Sequence, residues 1–224
     1  MITRVNTAAV ALVLALSGPL LAAPAAPVAV GTNTPPAITS NNWAVAMTRP
    51  GLPNLHKVSA TLYRGAQPTA NGFAELKKMG IKTVVCLRKL HSDKELLGSN
   101  GLAYVAIPMN TWHAEREDVV AFLKVVSDTN RTPVFVHCQH GSDRTGTMCA
   151  FYRMAVCGWS KTDALKEMTE GGFGFHGVWQ NLLQFINKVD LAKVKDQAGL
   201  KPGGPCVGVR AVPQGRDRGI PEHN

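Results

Sequence analysis

The sequence contains few aromatic residues and no internal repeat. Phe, Trp and Tyr make up 6% of the 224 residues, and the 24 basic side chains are scattered along the chain. Proteins that bind nucleic acid usually combine clustered basic and aromatic residues, so no nucleic-acid partner is predicted. The formal net charge is nevertheless +9, and this excess of positive charge favours anionic substrates.

Two further absences limit the possible functions. After the N-terminal segment, no apolar run is long enough to cross a membrane, so no membrane span is predicted. The seven histidines show no ligand spacing such as His-Glu-x-x-His, so we predict no metal and no cofactor.

The first 25 residues have the features of a secretory signal peptide. Arg4 supplies a basic start, residues 8–16 form a short apolar run, and Ala23-Pro24-Ala25 resembles a cleavage site. We therefore expect a periplasmic or secreted protein. The remaining chain is predicted to comprise a flexible leader over residues 26–42, one domain over residues 43–192 and a flexible tail over residues 193–224.

Apolar periodicity predicts strands that alternate with helices. Strands are expected at residues 61–64, 81–87, 102–107 and 134–136, and helices at residues 70–79, 92–97, 115–127, 145–156, 160–168 and 178–189. Residues 43–59 contain Pro50 and Pro53 and are predicted to be irregular, covering one sheet edge. Because the strands are continuously apolar, they indicate an α/β domain whose central, mostly parallel sheet carries helices on both faces.

Five cysteines are an odd number for an exported protein. Cys86 and Cys149 occur at predicted core positions, whereas Cys157 lies at a helix end and Cys206 in the tail. A disulfide between Cys157 and Cys206 is therefore our hypothesis, since it would tie the tail to the domain.

The most informative stretch runs from Val134 to Gly146, where an apolar strand leads into a polar loop and then a helix. Backbone N–H groups of such a loop, together with the positive end of the helix, favour an anion. The same dipoles favour the thiolate of Cys138, which is the nucleophilic form. Arg144 offers a planar fork of donors to two phosphate oxygens. Because the loop does not end in Gly-Lys-Ser/Thr, it is not a nucleotide-binding Walker loop.

These residues resemble a known signature. His137-Cys138, five further residues and Arg144-Thr145-Gly146 are similar to the motif of the cysteine-dependent protein tyrosine phosphatases. Residues 62–68 and 80–88 look like the opening of its dual-specificity-like members, particularly the atypical plant and fungal branch and secreted bacterial relatives. The resemblance implies that Cys138 attacks phosphorus and that water hydrolyses the resulting phosphocysteine.

The resemblance also implies roles for residues around the cysteine. Four loop residues are expected to contact substrate: Gln139, His140, Gly141 and Ser142. Arg88, at the end of a neighbouring strand, is a secondary candidate, and a structural ion pair is its alternative role. Thr145 occupies the position of a hydroxyl that assists the second step in the family, although a helix-start hydroxyl would explain it equally well.

The general acid departs from the family pattern. Dual-specificity phosphatases usually carry an aspartate upstream of the cysteine, but residues 101–114 contain no carboxylate. Asp143 is the preferred candidate, because the arrangement Gly-x-Asp-Arg-Thr resembles that of a set of secreted bacterial phosphatases in which the loop aspartate has this role. The alternative is that Asp143 only braces the loop and that Glu115, Glu117 or Asp118 supplies the proton.

Three functions follow from these residues. Phosphotyrosine in proteins is the default substrate of the family, and inositol polyphosphates, including pyrophosphorylated ones, are substrates of the atypical branch. A rhodanese-type sulfurtransferase also places a cysteine in an anion-binding loop, but it does not require the ending Arg144-Thr145-Gly146. The predicted partner is thus a phosphorylated protein or a small phosphorylated molecule.

Overall fold

The computed structural model describes residues 42–200, and all structural statements below refer to that part of the chain. Six strands and seven helices follow one another there: β1 Val45–Ala46, β2 His56–Lys57, β3 Leu62–Gly65, α1 Ala70–Lys78, β4 Thr83–Cys86, α2 Lys94–Leu97, β5 Ala103–Ala106, α3 Arg116–Ser127, β6 Val134–His137, α4 Asp143–Ala155, α5 Lys161–Glu170, α6 Gln180–Lys188 and α7 Leu191–Gln197.

The strands form one sheet in the order β1-β2-β3-β6-β4-β5. The last four strands of that order are parallel, whereas β1 and β2 add an antiparallel edge. The predicted α/β fold with a mostly parallel sheet is therefore confirmed. The prediction of an irregular segment at residues 43–59 is wrong in part, because this segment contains β1 and β2. Each of these strands has only two residues, so neither can show an apolar period in the sequence.

Helices cover both faces of the sheet, as the continuous apolar runs predicted. On the central strand β6, Val134 and Val136 point into one core, which is formed with α3 to α7. Phe135 points the other way, into a second core with α1 and α2, beside its register partner Val84 on β4. Since successive side chains of a strand point to opposite faces, a strand buried on both faces needs an apolar residue at every position.

Helix α4 lies at the centre of the larger core, and each of its residues except Arg144 is buried. Near its end, the buried guanidinium of Arg153 donates to both carboxylate oxygens of Glu167 on α5, at 2.8 and 2.6 Å. Glu167 also accepts a hydrogen bond of 2.7 Å from the backbone N–H of Ala44. This buried ion pair therefore ties the edge segment before β1 to the helical face.

Two predicted boundaries need correction. Helix α4 begins at Asp143 rather than at residue 145, which places Asp143 and Arg144 in its first turn. The domain also extends beyond the predicted limit of residue 192, because Val194 of α7 and the following Ala198 pack into the core. The predicted signal peptide and leader up to residue 41, and the predicted tail after residue 200, lie outside the described residues.

No helix within residues 42–200 is both long and apolar enough to span a bilayer. Cys86, Cys138 and Cys149 are free thiols, and Cys157 is disulfide-bonded. Cys206 lies outside the described residues, so its pairing with Cys157 stays a prediction.

Candidate active site

The loop between β6 and α4 turns sharply against strand β3. Gly141 has a φ of +73°, which favours glycine. A Cβ at this position would collide with the carbonyl group of Gly65 and would lie 2.6 Å from the backbone nitrogen of Ala66. Backbone atoms cannot rotate out of the way as a side chain can, so only glycine allows the loop to pack this closely.

Hydrogen bonds from outside the loop hold its carbonyl groups. The buried Arg64 donates to the carbonyl of Gly141 at 2.8 Å, and the amide of Asn54 donates to that of His140 at 2.9 Å. The backbone N–H of Gln67 donates to the carbonyl of Gln139 at 3.2 Å. In a planar trans peptide the N–H points opposite to the C=O. Fixing these carbonyls outward therefore turns the N–H groups of the following residues inward, where an anion can accept from them.

Cys138 and Arg144 face the same cleft, which has a volume of about 510 Å³. Cys138 lines this cleft although only 2% of its surface is exposed, so its thiol lies at the floor. Arg144 is half-buried in the first turn of α4, and its guanidinium is 3.4 Å from the carbonyl oxygen of Leu87. The loop thus brings Cys138, the guanidinium of Arg144 and a helix N-terminus to one cleft, a combination that suits an anion.

Asp143 is the one carboxylate among the described residues that line this cleft. Its side chain is 9% exposed and accepts hydrogen bonds from His176, at 2.9 Å from the backbone nitrogen and 2.8 Å from Nδ1. Glu115 and Glu117 are exposed, and Asp118 is half-buried, but none of the three lines the cleft. Asp143 therefore shares the cleft with Cys138, whereas its three competitors lie outside the cleft lining.

Comparisons with known proteins agree with this arrangement. A family model described as a DSP-PTPase phosphatase fused to NAD+ kinase matches residues 35–181. The dual specificity protein phosphatase TpbA of Pseudomonas aeruginosa is 35% identical over 189 residues, which cover 84% of this chain and 81% of the relative.

The chain belongs to the dual-specificity phosphatases. A crystal structure of TpbA superimposes with a TM-score of 0.63 at 33% identity, covering 70% of this chain and 97% of that one. A further TpbA structure contains pTyr. The catalytic core of Siw14, at 20% identity and a TM-score of 0.60, shares the fold over 69% of this chain and 95% of its own. Inositol diphosphatase DSP5 of Arabidopsis thaliana is 24% identical over 154 residues, or 64% of this chain and 72% of the relative.

The structure divides the predicted site residues of this phosphatase into two groups. Those that line the cleft are Arg88, Cys138, Gln139, His140, Asp143 and Arg144. Gly141, Ser142 and Thr145 lie behind it, where Ser142 Oγ donates to the carbonyl of Phe173 at 2.7 Å. Thr145 is fully buried, and its hydroxyl has no hydrogen-bond partner, so it does not cap α4.

Sequence patterns did not reveal the buried carboxylate of Asp93. It accepts hydrogen bonds from His137 Nε2 at 2.9 Å and Gln67 Nε2 at 2.6 Å, and His91 Nε2 lies at 2.9 Å. Gln67 in turn accepts a hydrogen bond of 2.9 Å from Arg88, so Arg88 is anchored through an amide and not through the ion pair that was its alternative role. Asp93 occupies the N-cap position of α2 without capping it, because its carboxylate points to His137.

The charge state of Asp93 follows from these partners. Burial by itself would raise the pKa of Asp93, but hydrogen bonds from His137 and Gln67 and the charge of His137 lower the pKa well below its ordinary value. The other ring nitrogen of His137 lies 3.2 Å from the carbonyl oxygen of Cys138. The two contacts hold the imidazole between Asp93 and the peptide beside Cys138, which fixes the position of that peptide.

Two clusters bring potential metal ligands together. The buried cluster of Cys86, Asp93 and His137 belongs to the hydrogen-bond network just described. In the second cluster, the ligand atoms of His140, Asp143 and His176 lie within 4.8 Å of one another at the cleft. Two imidazoles and a carboxylate are suitable zinc ligands, but the sequence gives no sign of this set, since its members are separated along the chain.

The remaining free cysteines differ from Cys138 in their surroundings. Burial raises the pKa of Cys86 and that of Cys149 to about 11 each. Because the thiolate is the nucleophile, both residues are inert at neutral pH. Of these three free cysteines, Cys138 is the one that lines the cleft.

We expect the change Asp93→Asn to destabilise the protein by about 3 kcal/mol at pH 7, because it removes one partner of a buried charged pair. The lowered pKa of Asp93 stabilises the folded state above the unfolded value of about 4, and this stability is lost as the pH falls through the lowered pKa. The difference in the free energy of unfolding between wild type and variant should therefore become smaller below about pH 4. Urea denaturation from pH 3 to pH 7 measures it.

The matched control is Glu117→Gln, the same change of carboxylate to amide in an exposed pair with Arg116. It should leave stability unchanged. Equal stability of Asp93→Asn and wild type at pH 7 would contradict the role of Asp93.

Proposed function

We propose that this phosphatase hydrolyses phosphotyrosine in proteins through a phosphocysteine intermediate. The observation that carries the proposal is the position of Cys138 at the floor of a cleft with Arg144, beneath walls that include Leu90, Val178 and Trp179. A substrate can place its phosphate at the floor only if a long side chain carries that phosphate, and the apolar walls suit an aromatic ring in this side chain. The TpbA structure with pTyr supports the same substrate.

The proposed chemistry has two steps. The Cys138 thiolate attacks phosphorus, the P–O bond to the tyrosyl oxygen breaks, and Asp143 gives that oxygen its proton. A water molecule then attacks the phosphocysteine, loses a proton to the Asp143 carboxylate, and releases phosphate and the thiolate. Arg144 and the inward N–H groups of the loop stabilise the equatorial oxygens in both steps, and these fixed donors need no reorganisation.

Asp143 is well placed for this exchange, but its contacts also support a bracing role. His176 donates to both carboxylate oxygens, which orients the carboxylate beside the cleft. Leaving-group dependence distinguishes the two roles.

A second candidate substrate is an inositol polyphosphate. The cleft carries the cations Arg88, Lys89 and Arg144, together with three histidines, and Asp143 is the one acidic residue among its described lining. Such an excess of positive charge suits a substrate with several phosphates. Two Arabidopsis thaliana relatives are named inositol diphosphatases, DSP5 and DSP3, and both are 24% identical to this chain.

We further propose that the protein is exported to the periplasm or secreted. The basic start, apolar run and cleavage-like site in the first 25 residues support this. Cys157 is disulfide-bonded, and disulfides persist mainly in oxidising compartments. Mass spectrometry of the protein from fractionated cells should find a chain that starts near residue 26, and an intact N-terminus in the cytoplasmic fraction would contradict export.

The first test compares substrates. Phosphotyrosyl peptides should be hydrolysed with a higher kcat/KM than inositol polyphosphates, and sulfur transfer from thiosulfate to cyanide should be absent.

Cys138→Ser should abolish hydrolysis while leaving the fold intact, because the nucleophile is lost with little change in volume. Arg144→Lys should lower kcat/KM by about a hundredfold or more through loss of the bidentate contact. Hydrolysis that survives in Cys138→Ser would overturn the covalent mechanism.

The second test concerns the proton donor. Asp143→Asn should lower kcat by about a hundredfold on an alkyl phosphate, whose leaving group must be protonated, and by less than about tenfold on p-nitrophenyl phosphate. His176→Ala serves as the matched variant, since it removes the contact from Nδ1 and keeps both the carboxylate and the backbone N–H that donates to it. If each variant lowers kcat by the same factor on the alkyl phosphate and on p-nitrophenyl phosphate, Asp143 only braces the loop.

A further inference from the structure

Large apolar side chains are exposed at few positions of the described chain, and most of these border the catalytic cleft. Within residues 42–200, four such residues are exposed: Leu90 by 96%, Val178 by 73%, Trp112 by 72% and Leu96 by 39%. Leu90 and Val178 line the cleft, and Trp112 packs on Trp179, which also lines it. We call Leu90, Trp112 and Val178 the apolar rim.

The tryptophan of the rim is held in place by its neighbours. Its ring meets that of Trp179 edge to face, with ring centres 4.6 Å apart, and Trp179 is itself half-buried against the main core. The side-chain amide of Asn181 on α6 donates to the carbonyls of Thr111 and Trp112, at 2.7 and 3.3 Å. The loop that carries Trp112 is thus fixed to α6, and the exposed face of the ring is presented at a defined place.

Three separate segments supply the rim. Leu90 follows strand β4, Trp112 lies between β5 and α3, and Val178 precedes α6. Exposed apolar side chains beside a functional cleft commonly mark a binding site, because covering them with a partner removes apolar surface from water and is therefore favourable. A substrate that enters the cleft is the molecule that meets all three segments at once.

We propose that the apolar rim binds apolar side chains that flank the phosphotyrosine of a protein substrate, an inference that rests on the proposed function. An extended chain advances about 3.3–3.6 Å per residue, so the residues next to a phosphotyrosine on Cys138 cross the mouth of the cleft. Inositol polyphosphates carry no apolar side chains and make no use of such a rim. The rim therefore selects among phosphotyrosines, while the loop beneath performs the chemistry.

The test compares two phosphotyrosyl peptides of equal length, one with Leu, Val and Phe around the phosphotyrosine and one with Ser and Gly at those positions. The full-length protein should hydrolyse the apolar peptide with a kcat/KM at least about fivefold higher, which corresponds to partial burial of one large side chain. Trp112→Ala and Leu90→Ser should each reduce this ratio towards one. Leu96→Ser, an exposed leucine on α2 outside the rim, is the matched control and should keep the ratio.

The outcomes separate this inference from the function on which it rests. If neither peptide is hydrolysed while an inositol polyphosphate is, the proposed function fails. If both peptides are hydrolysed equally well, or if Leu96→Ser lowers the ratio as much as Trp112→Ala, the proposed function stands and the rim inference fails. Self-association or vesicle binding that is lost in Trp112→Ala, with no change in the peptide ratio, would assign the rim to a second copy or to a lipid surface instead.

Discussion

The buried carboxylate of Asp93 connects the parts of the sheet that carry the chemistry. Through His137 it reaches β6 and the peptide next to Cys138, and through Gln67 it reaches the segment after β3. Gln67 also holds the guanidinium of Arg88 at the end of β4. Three parallel strands thus end around one charge, which is compensated by neighbours that are themselves part of the site. A single buried anion therefore fixes the relative positions of groups that are distant along the chain.

Much of the fold was predictable because its signals are local. Continuous apolar runs such as Val134 to Val136 identified the central strands. The order strand, loop, helix predicted one site for Cys138 and Arg144, and both residues line the same cleft. Asp93 and His176 were missed because their partners lie 44 and 33 residues away. Helix α7 was missed because it is short and follows α6 closely, so its burial of Val194 leaves little periodic signal.

The cleft combines two kinds of recognition at different depths. At the floor, Cys138 and Arg144 recognise a feature that every phosphomonoester shares, and they cannot distinguish one from another. Around the opening, cations such as Lys89 attract further phosphate groups, whereas apolar residues such as Trp112 suit apolar side chains. In the proposed function, the choice between a protein and a polyphosphate depends on the outer surface, while the turnover of the bound phosphate depends on the loop.

The side-chain amide of Asn54 joins two loops from a distant position in the chain. It donates both to the carbonyl of His140 in the catalytic loop and to that of Phe173, at 2.9 and 3.0 Å. Asn54 belongs to the edge segment before β2, which contributes little to the sheet and would be an obvious part to trim. A shortened protein that starts at β3 would keep every residue of the cleft lining and still lose this clamp. The minimal catalytic unit is therefore larger than the set of residues that touch the substrate.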